Sequence, residues 1–243
     1  STNSGSEENG TTTIYRGNTS LISWGDSARI TGNHLWMIKK YILMNRCLGD
    51  DMESKSVVIT GSSSGLGRSI AGKLLDLGFE IIGIDISPTT IVHSKYYHLQ
   101  MDLVTVETEK ILDCVKDSNW YGFIHCAGVS KGSTIDEMLI SDWNRSMEIN
   151  VNSAMHISRL AHEHMIDNGR IILVGSPVSV TGSRKPSYSA SKAALHGLTM
   201  SISRSFGKRG ICVNTVLPGP MITGMTNDWP IEKRTNIARS TRL

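Results

Sequence analysis

The chain has 243 residues, 39% of them apolar and 19% charged, a balance that excludes a collagenous sequence or one disordered throughout. Its 25 Lys and Arg against 22 Asp and Glu leave +3, all of it carried by Lys233, Arg234, Arg239 and Arg242 against Glu232, so no broad basic face for nucleic acid is expected. No apolar run approaches the roughly 18–20 residues of a membrane span, and the N-terminus lacks the basic-then-apolar order of a signal peptide.

Residues 1–20 are dominated by Ser, Thr, Asn, Gly and Glu, a composition expected to form a mobile arm. Over 34–48 (HLWMIKKYILMNRCL), Leu35, Ile38 and Ile42, with Met44 or Cys47, fall near one helical stripe and predict a packing helix. Gly49, Asp50 and Asp51 break that pattern. From residue 55 short β-branched runs alternate with amphipathic segments. This predicts strands near 55–60, 79–84, 96–99, 121–125, 170–175 and 211–217, and helices near 65–77, 104–117, 141–164 and 187–207. Apolar strands separated by helices imply an α/β domain with a parallel sheet covered on both faces. The chain divides into an extension, 1–54, and a domain, 55–243. Cys47, Cys114, Cys126 and Cys212 lie far apart with no matching histidine cluster, which disfavours a metal site or a disulfide framework and fits the cytoplasm.

The first strand of the domain runs into Thr60-Gly61-Ser62-Ser63-Ser64-Gly65-Leu66-Gly67, and a helix comes next. Glycines let the backbone approach a pyrophosphate, and the helix start offers free N–H groups and partial positive charge. A glycine-rich turn alone also suits a tight bend. The next strand, however, ends at Asp85, near the point about 20 residues on where a ribose-binding carboxylate is expected. Such a carboxylate accepts from the ribose hydroxyls and repels a 2′-phosphate. With no Arg or Lys in 62–64, this favours NAD, with NADP as the alternative. A strand-end cap is the plainer role for Asp85.

The spacing T-G-x-x-x-G-x-G resembles the short-chain dehydrogenase/reductase family, and the resemblance runs from about Lys55 to the end. It implies a Rossmann-like doubly wound sheet, with cofactor contacts from Gly61, Ser63, Ser64, Gly65, Leu66, Gly67 and Asp85. Asp102 and Leu103 look like the pair beside the adenine. His125-Cys126-Ala127-Gly128 stands where the family usually carries Asn-Asn-Ala-Gly; both Asn are replaced, while Cys126, Ala127 and Gly128 still border the cofactor. A packed strand end is a better reading of His125 and Cys126 than a metal pair, because metal sites need more ligands.

Tyr188-Ser189-Ala190-Ser191-Lys192 opens the helix over 187–207. Tyr and Lys four apart share a face, so the ammonium is expected to draw the phenol down from its usual value of about 10. The resemblance makes Tyr188 the general acid or base of carbonyl–alcohol interconversion and Lys192 its partner and nicotinamide-ribose ligand. Ser176 orients the carbonyl, with Ser179 as the fallback. Asn150, in register ahead of Asn152, opens a helix and holds a proton-relay water. Pro218, Gly219 and Thr223 in P-G-x-x-x-T resemble the turn that contacts the nicotinamide carboxamide and phosphate.

Two departures stand out. Met52 is preceded by 51 residues, and the segment after Thr223 is too short for the family's substrate-covering helices and last strand. The last strand is therefore expected to be missing, most simply because the sequence is a piece of a longer reading frame. A degenerate nucleotide-binding member ranks second, and a complete enzyme whose edge is closed by the N-terminal extension or a partner ranks third; an open sixth strand is an aggregation hazard, which argues against a solitary complete monomer. The expected function is NAD(H)-dependent interconversion of a secondary alcohol and a ketone by a homodimer or homotetramer. A non-catalytic dinucleotide-binding or scaffold protein is the alternative.

Overall fold

The β-branched runs from residue 55 onward become strands because Val and Ile pack well on a pleated surface covered from both sides. A computed structural model of the protein describes residues 11–16, 21–25, 55–219 and 230–232. The helix expected over 34–48, the basic residues after 232 and Thr223 lie outside the described residues. A hairpin comes first, β1 (Thr11–Arg16) and β2 (Leu21–Gly25). The first wound half is β3 (Lys55–Thr60), α1 (Gly65–Leu75), β4 (Glu80–Asp85) and β5 (Tyr96–Gln100). After α2 (Thr108–Val115) come β6 (Asn119–His125), α3 (Ile140–Met147), a π turn (Glu148–Asn152), α4 (Ser153–His164) and β7 (Arg170–Val174). The short α5 (Val178–Thr181), the long α6 (Pro186–Gly207) and β8 (Cys212–Leu217) complete the order.

The sheet runs β2-β1-β8-β7-β6-β3-β4-β5, and β3 to β8 are all parallel. Strand order reverses at β3, which has β4 on one side and β6 on the other. Ligands of doubly wound sheets bind at the carboxyl ends beside such a reversal. Thr60 and His125, the last residues of β3 and β6, face each other there.

Alternate side chains divide between two apolar layers. Val57, Ile59, Ile81, Ile172 and Val174 pack with Ile70 and Leu74 of α1. Val58, Ile82, Phe123, Ile171 and Leu173 pack on the other side with Ile157 of α4 and Leu195 of α6. Trp120, wholly buried, satisfies its indole N–H on the Gly122 carbonyl at 2.8 Å. With each fully buried large side chain contributing about 1.5–3 kcal/mol, these layers hold the strand ends, and so the site, in place.

Two expectations are corrected. The sixth parallel strand is not an open edge: β1 pairs antiparallel with β8, Ile14 opposite Val216. Residues 11–16 are therefore a strand rather than part of a mobile arm. The run Thr-Thr-Thr-Ile-Tyr-Arg has the β-branched and aromatic content that suits a strand, and the unpaired groups of β8 supply the hydrogen bonds that composition ignores. The helix expected over 141–164 opens at residues 148–152, where the resemblance puts an opening at Asn150, and Ser153 N–H reaches back five residues to the Glu148 carbonyl. Among the described residues no helix is long and apolar enough to cross a membrane.

Candidate active site

The loop after β3 is built by backbone. Gly61 and Gly65 have positive φ, 69° and 51°, which glycine alone adopts freely. A Cβ on Gly61 would come within 2.8 Å of Ala127 N, and one on Gly67 would run into the Gly61 carbonyl. The loop is thus packed against the end of β6 and folded onto α1, with a concave face only glycines permit. Ser64 makes no side-chain cap bond to α1, and the first turn of α1 holds no acidic residue. Its N–H groups and dipole therefore suit an anionic group.

Asp85 closes the other side of this cradle. Its two oxygens accept from Ser63 N–H and Ser87 N–H, both at 2.9 Å, so the carboxylate is pinned between the loop and the turn after β4. Three residues of β5 that sequence reasoning missed brace this loop and turn. Tyr96 donates to Ser62 Oγ at 3.1 Å, His98 Nε2 lies 3.0 Å from the Ser87 carbonyl, and Gln100 donates to the Ile86 carbonyl at 3.0 Å. Their two-residue spacing in YYHLQ was the available signal, since alternate residues share one face of a strand. Asp102 accepts from Val104 N–H at 3.0 Å and lies 3.8 Å from the half-exposed Arg145 guanidinium, while Leu103 is buried beside it.

The His125–Gly128 segment passes between the cradle and α6. Cys126 N–H donates to the Thr60 carbonyl at 3.3 Å, and Ala127 N–H to Thr60 Oγ1 at 3.2 Å. Burial drives the Cys126 thiol up to about 12, so it is neutral packing rather than a nucleophile. His125 is wholly buried, and that burial, followed by the charge of Lys192, brings its imidazole down to about 3.

Ser176, Tyr188 and Lys192 are brought together at the carboxyl end of β7. Ser176 is near enough to Tyr188 to draw its phenol down, and Lys192 Nζ lies 6.0 Å from the centre of the Tyr188 ring. Lys192 donates to the Val174 carbonyl at 2.7 Å, and burial lowers it from 10.5 to about 8. One expectation reverses: Tyr188 is raised, not lowered. Burial of the phenol outweighs Ser176, which pulls it down. Ser179, the fallback, turns away. It donates to the Ser176 carbonyl at 2.6 Å and lies 3.0 Å from His196 Nε2, tying α5 to α6. His196, two turns past Tyr188 on the same face, is the partner that sequence reasoning did not single out.

Asn150, wholly buried in the π turn, has its amide fully engaged. It accepts from Val129 N–H at 2.8 Å and donates to the Val129 carbonyl at 3.0 Å and to Ser191 Oγ at 2.8 Å. The side chain is therefore a clamp between the loop after β6 and the helix that carries Lys192. Gly128 lies under the Lys192 ammonium, where a Cβ would sit 3.1 Å from Nζ. Pro218 and Gly219 succeed β8 at the same end of the sheet.

A family profile described as short chain dehydrogenase matches residues 55–234. The 3-oxoacyl-(acyl-carrier-protein) reductase FabG of Vibrio cholerae is 31% identical over 199 residues, 76% of this chain and 81% of that protein. The Escherichia coli protein of the same name is 29% identical over 201 residues, 77% of this chain and 82% of that protein. Among solved structures, a short-chain dehydrogenase/reductase from Serratia marcescens aligns with TM-score 0.68 and 25% identity, over 78% of this chain and 89% of that one. A 4-hydroxyisoleucine dehydrogenase complexed with NADH aligns with TM-score 0.63 and 26% identity, over 70% of this chain and 78% of that one. With its reversal point, glycine cradle and Ser-Tyr-Lys cluster on one Rossmann-like sheet, the chain belongs to the short-chain dehydrogenase family of oxidoreductases.

Proposed function

We propose that the protein interconverts a secondary alcohol and a ketone, with NAD(H) as its hydride carrier. The observation that carries this reading is the placement of Tyr188 and Lys192, 6.0 Å from ring centre to Nζ, with Lys192 held on the Val174 carbonyl, two residues before Ser176, at the end of the sheet where the glycine cradle opens. The cradle suits a dinucleotide: at Gly61 and Gly67 the loop packs so closely on Ala127 and on itself that a Cβ would force it out of shape, and the start of α1 has no side-chain cap or acidic residue to compete for its N–H groups. Gly61 to Gly67 would hold the pyrophosphate, Asp85 the adenosine ribose and Lys192 the nicotinamide ribose. When bound, the nicotinamide supplies or accepts the hydride.

The chain's own residues manage the proton and the charge. Ser176 Oγ donates to the substrate oxygen and steadies negative charge growing there. Tyr188 Oη gives its proton to that oxygen in reduction and takes it back in oxidation. Lys192, poised near 8, is an ammonium below that value and favours phenolate there; the preference fades as pH rises past it. Asn150 fixes the distance between the loop at Val129 and the helix of Lys192. NAD is preferred over NADP because the fixed Asp85 carboxylate meets the ribose edge, and a 2′-phosphate would meet its charge. A homodimer or homotetramer goes with this reading, and sedimentation of the purified protein measures it.

The test is NADH fluorescence titration followed by turnover with a panel of ketones, β-ketoesters and secondary alcohols. Tyr188→Phe is expected to keep NADH affinity and lose about 10²–10⁴ of kcat. Wild-type protein that binds NADH but turns over nothing, or a Phe variant as active as wild type, would overturn the catalytic reading in favour of a nucleotide-binding scaffold. Asp85→Ala is expected to weaken NADH and narrow the discrimination against NADPH; tighter wild-type binding of NADPH than of NADH would refute the cofactor choice.

A further inference from the structure

The proposed chemistry uses no residue of β5, yet three polar side chains of that strand converge on the loop and turn around Asp85. Gly83 makes room for the first of them. It lies opposite His98 in the pairing of β4 with β5, and a Cβ there would run into the Tyr96 hydroxyl and come within 2.6 Å of Ser62 Oγ. Tyr96 therefore reaches across β4 and donates to Ser62, a wholly buried serine of the glycine-rich loop, at 3.1 Å. The His98 imidazole stacks alongside the phenol, ring centres 6.2 Å apart, with Nδ1 3.3 Å from Tyr96 Oη. Its other nitrogen, Nε2, lies 3.0 Å from the Ser87 carbonyl, which can only accept, so Nε2 carries a proton.

The turn that carries Asp85 is thereby held at each of its carbonyls from one side. The Asp85 carbonyl accepts from Met101 N–H at 2.9 Å, the Ile86 carbonyl from Gln100 at 3.0 Å and the Ser87 carbonyl from His98. Ser63 Oγ also donates to the Ser87 carbonyl, at 3.1 Å, while the amides of Ser63 and Ser87 hold the two carboxylate oxygens. Ile86 and Ser87 are themselves exposed, so without these ties the turn could carry its charge outward into water. We infer that His98, backed by Tyr96, is a positioning residue for cofactor choice: it fixes the turn at Ser87 so that the Asp85 carboxylate stays at the ribose edge, where it accepts from the 2′-hydroxyl of NAD and repels the 2′-phosphate of NADP. The inference rests on the NAD reading of Asp85 and deepens it. A carboxylate free to swing aside would lose the ribose and admit the phosphate together, so selectivity depends on the stiffness of the turn as well as on its charge. His98 acts through Asp85 rather than on the cofactor.

Fluorescence titration with NADH and with NADPH reads the ratio of the two dissociation constants without turnover. His98→Leu, which keeps the bulk and loses the donor, is expected to narrow that ratio about fivefold, as the loss of one hydrogen bond would. His98→Gln, whose amide N–H reaches about the depth of Nε2, should recover most of it, and Tyr96→Phe, which fills the same space without the hydroxyl, should narrow it about twofold. The Asp85→Ala background separates positioning from plain packing: with the carboxylate gone, adding His98→Leu should leave the ratio where Asp85→Ala put it. An unchanged ratio in His98→Leu, equal ratios in Leu and Gln, or a His98→Leu effect as large without the carboxylate as with it would overturn the inference. Where the Leu variant fails to fold, ¹⁵N-histidine NMR of the wild-type protein decides: a proton on His98 Nε2 supports the inference, and one on Nδ1 alone refutes it. Wild-type protein that favours NADPH, or binds neither dinucleotide, would sink the NAD reading instead. The Ser87 amide resonance, displaced in His98→Leu and restored in His98→Gln, then supports the positioning role, and an unmoved resonance refutes it.

Discussion

The two halves of the site are made of different materials. Residues 60–67 form a cradle from backbone, with glycines at positive φ packed tightly on β6 and α1, and its shape does not depend on pH. Residues 125–192 form the opposite wall from buried side chains whose protonation burial has moved: His125 down to about 3, Lys192 down to about 8, Cys126 up to about 12, and Tyr188 upward. A backbone site is set by which residues lack a Cβ. A buried side-chain site is set by what surrounds each group, and sequence spacing alone misjudges it, as it did the direction of Tyr188.

That contrast can be broken at either wall. The largest effect is expected at the cradle, where Gly67→Ala drives a methyl group into the Gly61 carbonyl. Overpacking of about 1–3 kcal/mol weakens NADH by roughly 10- to 100-fold, read by fluorescence titration, with no change in the pH dependence of binding. A new pH dependence would mean that the cradle does not act through backbone alone.

At the opposite wall the effect is one of pH. His125 has a folded value of about 3, below its unfolded value of 6.5, so the unfolded chain binds more protons between these two. Stability is therefore whole above about 6.5 and falls as pH drops toward 3, by an amount on the order of a few kcal/mol. Urea unfolding of wild type and His125→Gln at stepped pH should diverge over that window; parallel curves would show that the imidazole is not buried neutral.

The smallest effect sharpens the choice of serine. Ser179→Ala loses the bonds to the Ser176 carbonyl and to His196, and is expected to cost about 1 kcal/mol in thermal or urea unfolding while kcat stays near wild type. Ser176→Ala is expected to do the reverse. If Ser179→Ala loses kcat as severely as Ser176→Ala, the substrate-facing serine has been misassigned.

Much of this arrangement could be read from local patterns. The strand-loop-helix at 55–75 and the Tyr188–Lys192 pair were legible because turn glycines and i,i+4 spacing are local properties. The break at 148–152 was not a local pattern: its periodicity reads as ordinary helix, the family resemblance alone pointed to an opening at Asn150, and the clamp of Asn150 on Val129 and Ser191 rationalises it. Nor was β1: its register against β8, Thr13 opposite Leu217, joins residues about two hundred positions apart. The bracing of Asp85 by His98 and Gln100 was hidden for the same reason, since it depends on β5 lying beside β4.

Sequence by itself determined the winding of the parallel sheet and the glycine-rich turn, and put forward Ser176, Tyr188 and Lys192 as candidates, because apolar periodicity, missing Cβ atoms and helical spacing act over a few residues. Tertiary structure alone decided that an N-terminal strand covers the sixth parallel strand, that Ser179 is spent on the Ser176 carbonyl and His196, and that His125 is buried neutral against Thr60. Edge pairing, hydrogen-bond choice and desolvation are set by groups distant in the chain, and their energies exist only once those groups have been packed together.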